Sequence, residues 1–164
     1  MTRKVRETLQ ILAIDPGLRS CGLAWNEEDG RVCTLTVRPS CRDIRGRFRE
    51  IMALAPERGW DLLVIEMTQI YQGGKQKGDP NDLARLSVLV GGLLCSIGAH
   101  RAELIKPAAW KKQIPKNIHH ARIREQLPDL GRASGDALDA AGLWLYARDM
   151  HEARESARKT RRAL

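Results

Sequence analysis

Four consecutive apolar residues, Leu62-Leu63-Val64-Ile65, place the tightest limit on how this chain can fold. A strand with one wet face alternates apolar and polar residues, whereas a run apolar at every position suits a strand buried on both faces of a sheet. The run ends on an acid, Glu66. An earlier stretch, Thr8 to Ile14 (TLQILAI), becomes continuously apolar in the same way before it meets Asp15-Pro16-Gly17. That tripeptide signals a turn, because proline fixes φ and glycine permits a positive one. Both strands therefore deliver a carboxylate to their ends.

The rest of the chain supplies what such a sheet needs. Cys21 to Trp25 and Arg31 to Val37, joined through Glu28-Asp29-Gly30, extend the first strand into an antiparallel meander. Ser40 is placed to cap a helix whose apolar residues Ile44, Phe48, Ile51, Met52 and Ala55 recur at helical spacing, with Arg42, Arg45, Arg47 and Arg49 elsewhere around it. After Glu66 a polar, glycine-bearing loop spans Gln72 to Pro80. A helix is expected from about Asn81 to Ile97, capped by Asp79 or Asn81, and a short strand over Glu103 to Ile105. Lys106 to Lys116 reads as an irregular basic segment. Two helices close the domain, one from about Ile118 and one from Ser134 to about Glu155. The expectation is an α/β domain over residues 1–153, with a mixed five-stranded sheet of three antiparallel strands and parallel additions, flanked by helices. Residues 154–164 are expected as a basic, loosely ordered tail.

The 164 residues suit one domain, and the 28 Lys plus Arg against 20 Asp plus Glu give a net charge of +8, which favours an anionic partner. Nucleic acid ranks ahead of membrane as that partner, and the longest apolar stretch, Leu86 to Ile97, is too short to cross a bilayer. No export signal is visible in the first residues, so a cytoplasmic location is expected, or the host cytoplasm for a phage-encoded protein. Cys21, Cys33, Cys41 and Cys95 are scattered without a Cys-x-x-Cys pair and read as reduced thiols.

Four acids sit where acids are costly. Asp15 and Glu66 end strands, and Asp136 and Asp139, three apart, share a face of the last helix. Ala137, Leu138, Ala140, Ala141, Leu143, Trp144 and Leu145 make that helix apolar nearly all round, so it is buried. Buried carboxylates repel one another and lose hydration unless cations compensate, and hard oxygen donors suit Mg2+ or Mn2+. Singly, each acid has a structural use. Asp15 fits its turn, Asp136 the helix start, and Glu66 an arginine pair. Asp139, a turn inside an apolar helix, has the weakest structural excuse.

In this order, ILAIDPG with a following glycine (Asp15, Gly17, Gly22), VIE (Glu66) and GDALDA (Asp136, Asp139) resemble the RuvC family of Holliday junction resolvases, within the ribonuclease H-like superfamily. The resemblance covers nearly the whole chain and leans toward a phage-type member. It implies a ribonuclease H-like fold and a homodimer making paired nicks in four-way and other branched DNA junctions. Asp15, Glu66, Asp136 and Asp139 would be the catalytic metal ligands, holding two Mg2+ (Mn2+ substituting), and the products would carry a 5′-phosphate and a 3′-hydroxyl.

Two departures from the family pattern concern DNA contacts. The aromatic that follows the family's glutamate has its counterpart here in Tyr71, two residues further on, which fits either loop packing or stacking on an unpaired base. The basic loop is short: Lys112-Gln113 resembles one end of it, and its second lysine can fall on Lys116 or be replaced by His120 or Arg122. Expected DNA-binding residues are Tyr71, Lys75, Lys77, Lys111, Lys112, Lys116, His120 and Arg122. Trp110 reads as a core residue. Gly91-Gly92 serves either a helix crossing between two subunits or ordinary packing on the sheet. A ribosomal-RNA-processing nuclease and a non-catalytic branched-DNA binder are the rival readings. A sugar-kinase-like ATPase would need a second such domain.

Overall fold

The computed structural model describes residues 8–69 and 79–163. Five strands, β1 (Ile11–Asp15), β2 (Cys21–Asn26), β3 (Val32–Val37), β4 (Trp60–Glu66) and β5 (Ala99–Ile105), form one sheet in the order β3-β2-β1-β4-β5. The pairs β1/β2 and β2/β3 are antiparallel, while β1/β4 and β4/β5 are parallel. The mixed α/β sheet expected from the sequence is therefore present. The helices are α1 (Ile44–Leu54), α2 (Pro80–Ser96), α3 (Pro107–Trp110), α4 (Lys116–Gln126) and α5 (Gly135–Ala163), with a 3-10 turn at Pro128–Leu130.

Side chains alternate across a strand, so each central strand feeds two cores. Ile11, Ala13, Ala24, Leu62 and Val64 face α5, together with Leu138, Ala141, Leu143, Trp144, Trp110 and Ile123. Leu12, Ile14, Leu23, Leu63 and Ile65 face the other way, onto Ile51 of α1 and Leu89, Val90 and Leu93 of α2. This explains why β1 and β4 are apolar at every position: neither has a wet face. The same alternation puts Asp15 and Glu66 on the α5 face, two residues beyond Ala13 and Val64.

Asn26 joins α5 to the opposite end of the sheet. Its buried Oδ1 accepts from Ile11 N–H at 2.9 Å and from Trp144 Nε1–H at 3.3 Å, and its Nδ2 donates to Leu9 O at 2.9 Å.

Local boundaries differ from expectation in four places. Asp43, not Ser40, caps α1, accepting from Gly46 N–H at 2.8 Å; Ser40 is instead held by Glu50, which accepts from its N–H at 2.7 Å. The basic segment after β5 contains α3, started by Pro107 at its first position, where the missing N–H costs nothing. The strand β5 runs from Ala99, four residues ahead of the expected start, because its backbone pairs with buried β4 although its own side chains are largely exposed. Finally, α5 continues to Ala163, so residues 154–163 are helical where a loose tail was expected. That stretch lacks Gly and Pro and is rich in Ala, Arg, Glu and Lys, and Arg154 Nη1 reaches Glu103 of β5 at 2.8 Å. Among the described residues no helix is long and apolar enough to cross a membrane, and Cys21, Cys33, Cys41 and Cys95 are free thiols. Tyr71, Lys75 and Lys77 lie outside the described residues. Gly92 packs on Phe48 of α1, whose ring carbon would lie 3.3 Å from an added Cβ.

Replacing Asn26 by Ala would leave the Ile11 amide, the Trp144 indole and the Leu9 carbonyl without partners. Urea denaturation should show a loss of roughly 2–4 kcal/mol; an unchanged midpoint would remove Asn26 from this bridging role.

Candidate active site

Parallel pairing brings the first two acids together. Ile14 pairs with Ile65, so Asp15 and Glu66 leave the sheet side by side at the C-terminal ends of adjacent strands. The other two come from the start of α5, and their arrival depends on a glycine. Gly22 pairs with Asp15 across β1/β2, and a Cβ on Gly22 would lie 2.0 Å from the Asp136 carbonyl oxygen. Any side chain there would lift α5 off the sheet. Ser20 Oγ then donates to Asp136 Oδ2 at 2.7 Å, tying the first turn of α5 to the loop after Asp15. One turn further along, Asp139 is buried at 5% exposure.

Basic residues from α3 and α4 enter the same space. Lys111 Nζ lies 3.1 Å and 2.8 Å from the two Glu66 oxygens. Lys116 Nζ donates to Asp139 Oδ2 at 2.9 Å, and His120 Nε2 meets Asp139 Oδ1 at 2.9 Å. Lys112 and Arg122 are exposed, and Lys112 takes a left-handed backbone conformation with φ 51° directly after α3. Of the basic residues singled out by sequence, Lys111, Lys116 and His120 are thus turned onto acids, while Lys112 and Arg122 face solvent.

Trp110 does more than fill the core. While buried among α5 side chains, its Nε1–H donates to Glu66 Oε2 at 2.9 Å. Its ring stacks at a tilt on His119, 5.3 Å between centroids. Gly142 makes room for this pair, since a Cβ there would sit 2.7 Å from the Trp110 ring and 3.0 Å from His119 Nε2. Sequence spacing detects Trp110 as apolar, but nothing local reveals that its indole N–H faces an acid 44 positions earlier.

The charges are unevenly settled. Burial would raise the Asp139 carboxyl, but hydrogen bonds from Lys116 and His120 outweigh it and hold the group below its ordinary value. Burial also opposes the Lys111 ammonium, yet Asp15 and Glu66 outweigh that cost and raise its pKa. Asp15 is relieved only in part. Burial pushes its carboxyl up to about 7, with Glu66, Asp139 and Asp136 adding to the rise and Lys111 opposing it.

As placed, no three His, Cys, Asp or Glu side chains among the described residues stand close enough to close around one ion. Glu66 is turned to Trp110 and Lys111, Asp136 to Ser20, and Asp139 to Lys116 and His120. The donor chemistry nevertheless fits a hard divalent cation: four carboxylates lie close enough to act on one another electrostatically, and burial together with the three neighbouring acids disfavours the ionised form of Asp15 in the absence of a further cation.

No protein-family model and no curated protein sequence matches the chain. Solved structures do. RuvC from Thermus thermophilus, in complex with Holliday junction substrate, superposes with a TM-score of 0.61 at 16% identity, covering 86% of this chain and 96% of that one. A second Thermus thermophilus RuvC structure gives 0.54 at 17% identity, over 85% and 96%. The chain therefore has the fold of the RuvC resolvases, a ribonuclease H-like mixed sheet flanked by helices.

The Asp15 carboxyl makes a stability prediction with a definite sign. Between its ordinary value near 3.8 and about 7, the unfolded chain has released this proton and the folded chain retains it. Stability is therefore lost as pH rises through that window, and the loss is complete above it. In chelator, Asp15→Asn should match its parent near pH 4 and exceed it by about 1–3 kcal/mol at pH 8. Added magnesium should stabilise the parent more than the variant. Equal urea midpoints at both pH values would mean that the carboxyl is not under this strain.

Proposed function

We propose that the chain is a metal-dependent endonuclease that resolves four-way (Holliday) and other branched DNA junctions by paired nicks, acting as a homodimer. One observation carries the reading: four carboxylates from β1, β4 and α5 gather on one sheet face, at the strand ends, with basic side chains around them. The fold likeness to RuvC, of which one structure is a complex with a Holliday junction, adds the substrate class. The basic charge of +8 agrees with a polyanionic substrate.

In this reading Asp15, Glu66, Asp136 and Asp139 hold two Mg2+, with Mn2+ able to substitute. When bound, the ions supply a lowered pKa for the attacking water and charge stabilisation at the scissile phosphate. The protein's own groups orient the ligands. Trp110 holds one Glu66 oxygen, Ser20 holds Asp136, and His120 holds Asp139. Lys111 and Lys116 balance the acids' charge, and Lys112 and Arg122, exposed beside the site, contact phosphates without reading bases. Tyr71, Lys75 and Lys77 are proposed as further DNA contacts on sequence grounds alone. Two subunits present two sites to one junction, which accounts for two symmetric cuts. The products carry a 5′-phosphate and a 3′-hydroxyl.

The decisive experiment uses Asp15→Asn, Glu66→Gln, Asp136→Asn and Asp139→Asn with a labelled four-way junction and magnesium. Each substitution removes a charge and keeps the shape, so cleavage should fall by orders of magnitude while gel-shift affinity persists. Full cutting by Asp139→Asn would be the most damaging result. Light scattering of the protein at micromolar concentration should give twice the chain mass, and a monomer that stays monomeric on a junction would sink the paired-nick mechanism.

A further inference from the structure

One strongly charged surface lies outside the acid site. The chain passes the acid end of the sheet on the α1 side in the β1–β2 loop, carrying Arg19, and in the β3–α1 connection, carrying Arg38 and Arg42. Arg45 and Arg49, four apart on α1, continue this surface along one side of the helix. All five are exposed, and among the described residues none of them is in an ion pair.

The segments are fastened to one another. Arg47 donates from Nε to Cys41 O at 2.9 Å and from Nη1 to Leu18 O at 2.5 Å, joining the start of α1 to the loop that follows Asp15. From α2, Arg85 Nη2 donates to Arg42 O at 2.8 Å. Three acids stand nearby: Asp43 caps α1 close to Arg45, Glu50 accepts from Ser40 and Cys41, and Asp82 pairs with Arg85. The result is a surface whose backbone segments are tied together and on which five exposed arginines outnumber the neighbouring acids.

Its position relative to the acids decides what it can bind. In the strand order β3-β2-β1-β4-β5 the acids occupy β1 and β4, the arginines lie beyond β2 and β3, and Lys106, Lys111 and Lys112 follow β5. From the end of β3, where Arg38 leaves the sheet, to the end of β5, where Lys106 leaves it, four strand spacings, roughly 19 Å, separate the two flanks. One phosphate cannot reach both, so the partner that satisfies them is a polynucleotide backbone. Guanidinium groups suit it, because each can bind a phosphate through two parallel N–H donors.

Building on the reading above, we propose that this arginine surface is a second DNA-binding face, gripping the phosphate backbone of a duplex arm on the side of the acid site opposite the lysines. The test compares Arg42→Glu and Arg45→Glu with Arg31→Glu, the same charge change in an exposed residue between β2 and β3, at the far end of the sheet. Affinity for a four-way junction and for plain duplex is measured against salt, with circular dichroism to check folding. The two α1-side variants should bind both DNAs at least threefold more weakly and lower the log–log salt slope by about 0.9 for each phosphate that is no longer neutralised. Arg31→Glu should bind like the parent. Equal binding by all three variants overturns the proposal, and a parent that binds no DNA overturns it together with the nuclease reading. A parent that binds junctions but does not cut them with magnesium overturns the nuclease reading alone, and the variants' affinities still decide the arginine surface.

Discussion

The close approach of α5 to the sheet is the contact on which the site depends. A helix carrying two acids can reach the ends of β1 and β4 only if nothing intervenes, and the missing side chain at Gly22 leaves room for the Asp136 carbonyl. Ala13 and Ala24 on the sheet, facing Ala140 and Ala141 among the buried residues of α5, belong to the same small-residue core. At the other end, Asn26 fixes the helix to the β1 and β2 backbone through Trp144. Packing here is therefore also electrostatics: the geometry that buries α5 forces four carboxylates into one region.

The resulting charge is handled unequally, and this has a chemical meaning. Asp136, Asp139 and Glu66 each find a hydrogen-bond donor from a neighbouring segment. Asp15, at the most central strand, receives burial and like charge, which the nearby Lys111 ammonium offsets only in part. A group held in that state favours any cation that can enter, and a hard divalent ion satisfies it better than an ammonium shared with Glu66. The Trp110–His119 pair is seated over Gly142, where a side chain would displace it, and from that seat the Trp110 indole N–H holds one Glu66 oxygen.

The outer surface follows a different logic. Lysines approach the acids from α3 and α4, and arginines gather along the loops leading into α1. The sheet places these two groups on opposite flanks because its two edge strands, β3 and β5, both end beside the acids, one leading into α1 and the other into α3. A net positive charge distributed in this way surrounds the acids without neutralising the whole site.

Much of the architecture was legible in the residues themselves. Continuous apolar runs in β1 and β4 required burial on both faces, and the spacing of Asp136 and Asp139 put both on one side of a buried helix. These are local periodicities, and backbone geometry alone converts them into faces. Other features came from competition between neighbours: Asp43 took the α1 cap while Ser40 went to Glu50, and the last turns of α5 stayed helical on composition and a contact with β5. What only the tertiary structure decided was which donors meet which acids. Lys111, Lys116 and His120 resemble any solvated basic stretch until α3 and α4 fold over the sheet ends, and Trp110 resembles any core aromatic until its N–H meets Glu66. Such partners lie between 19 and 45 positions apart, so no short-range pattern encodes them. They meet because the sheet order brings β4, α3, α4 and α5 to one place, where a buried carboxylate must be given a hydrogen-bond partner.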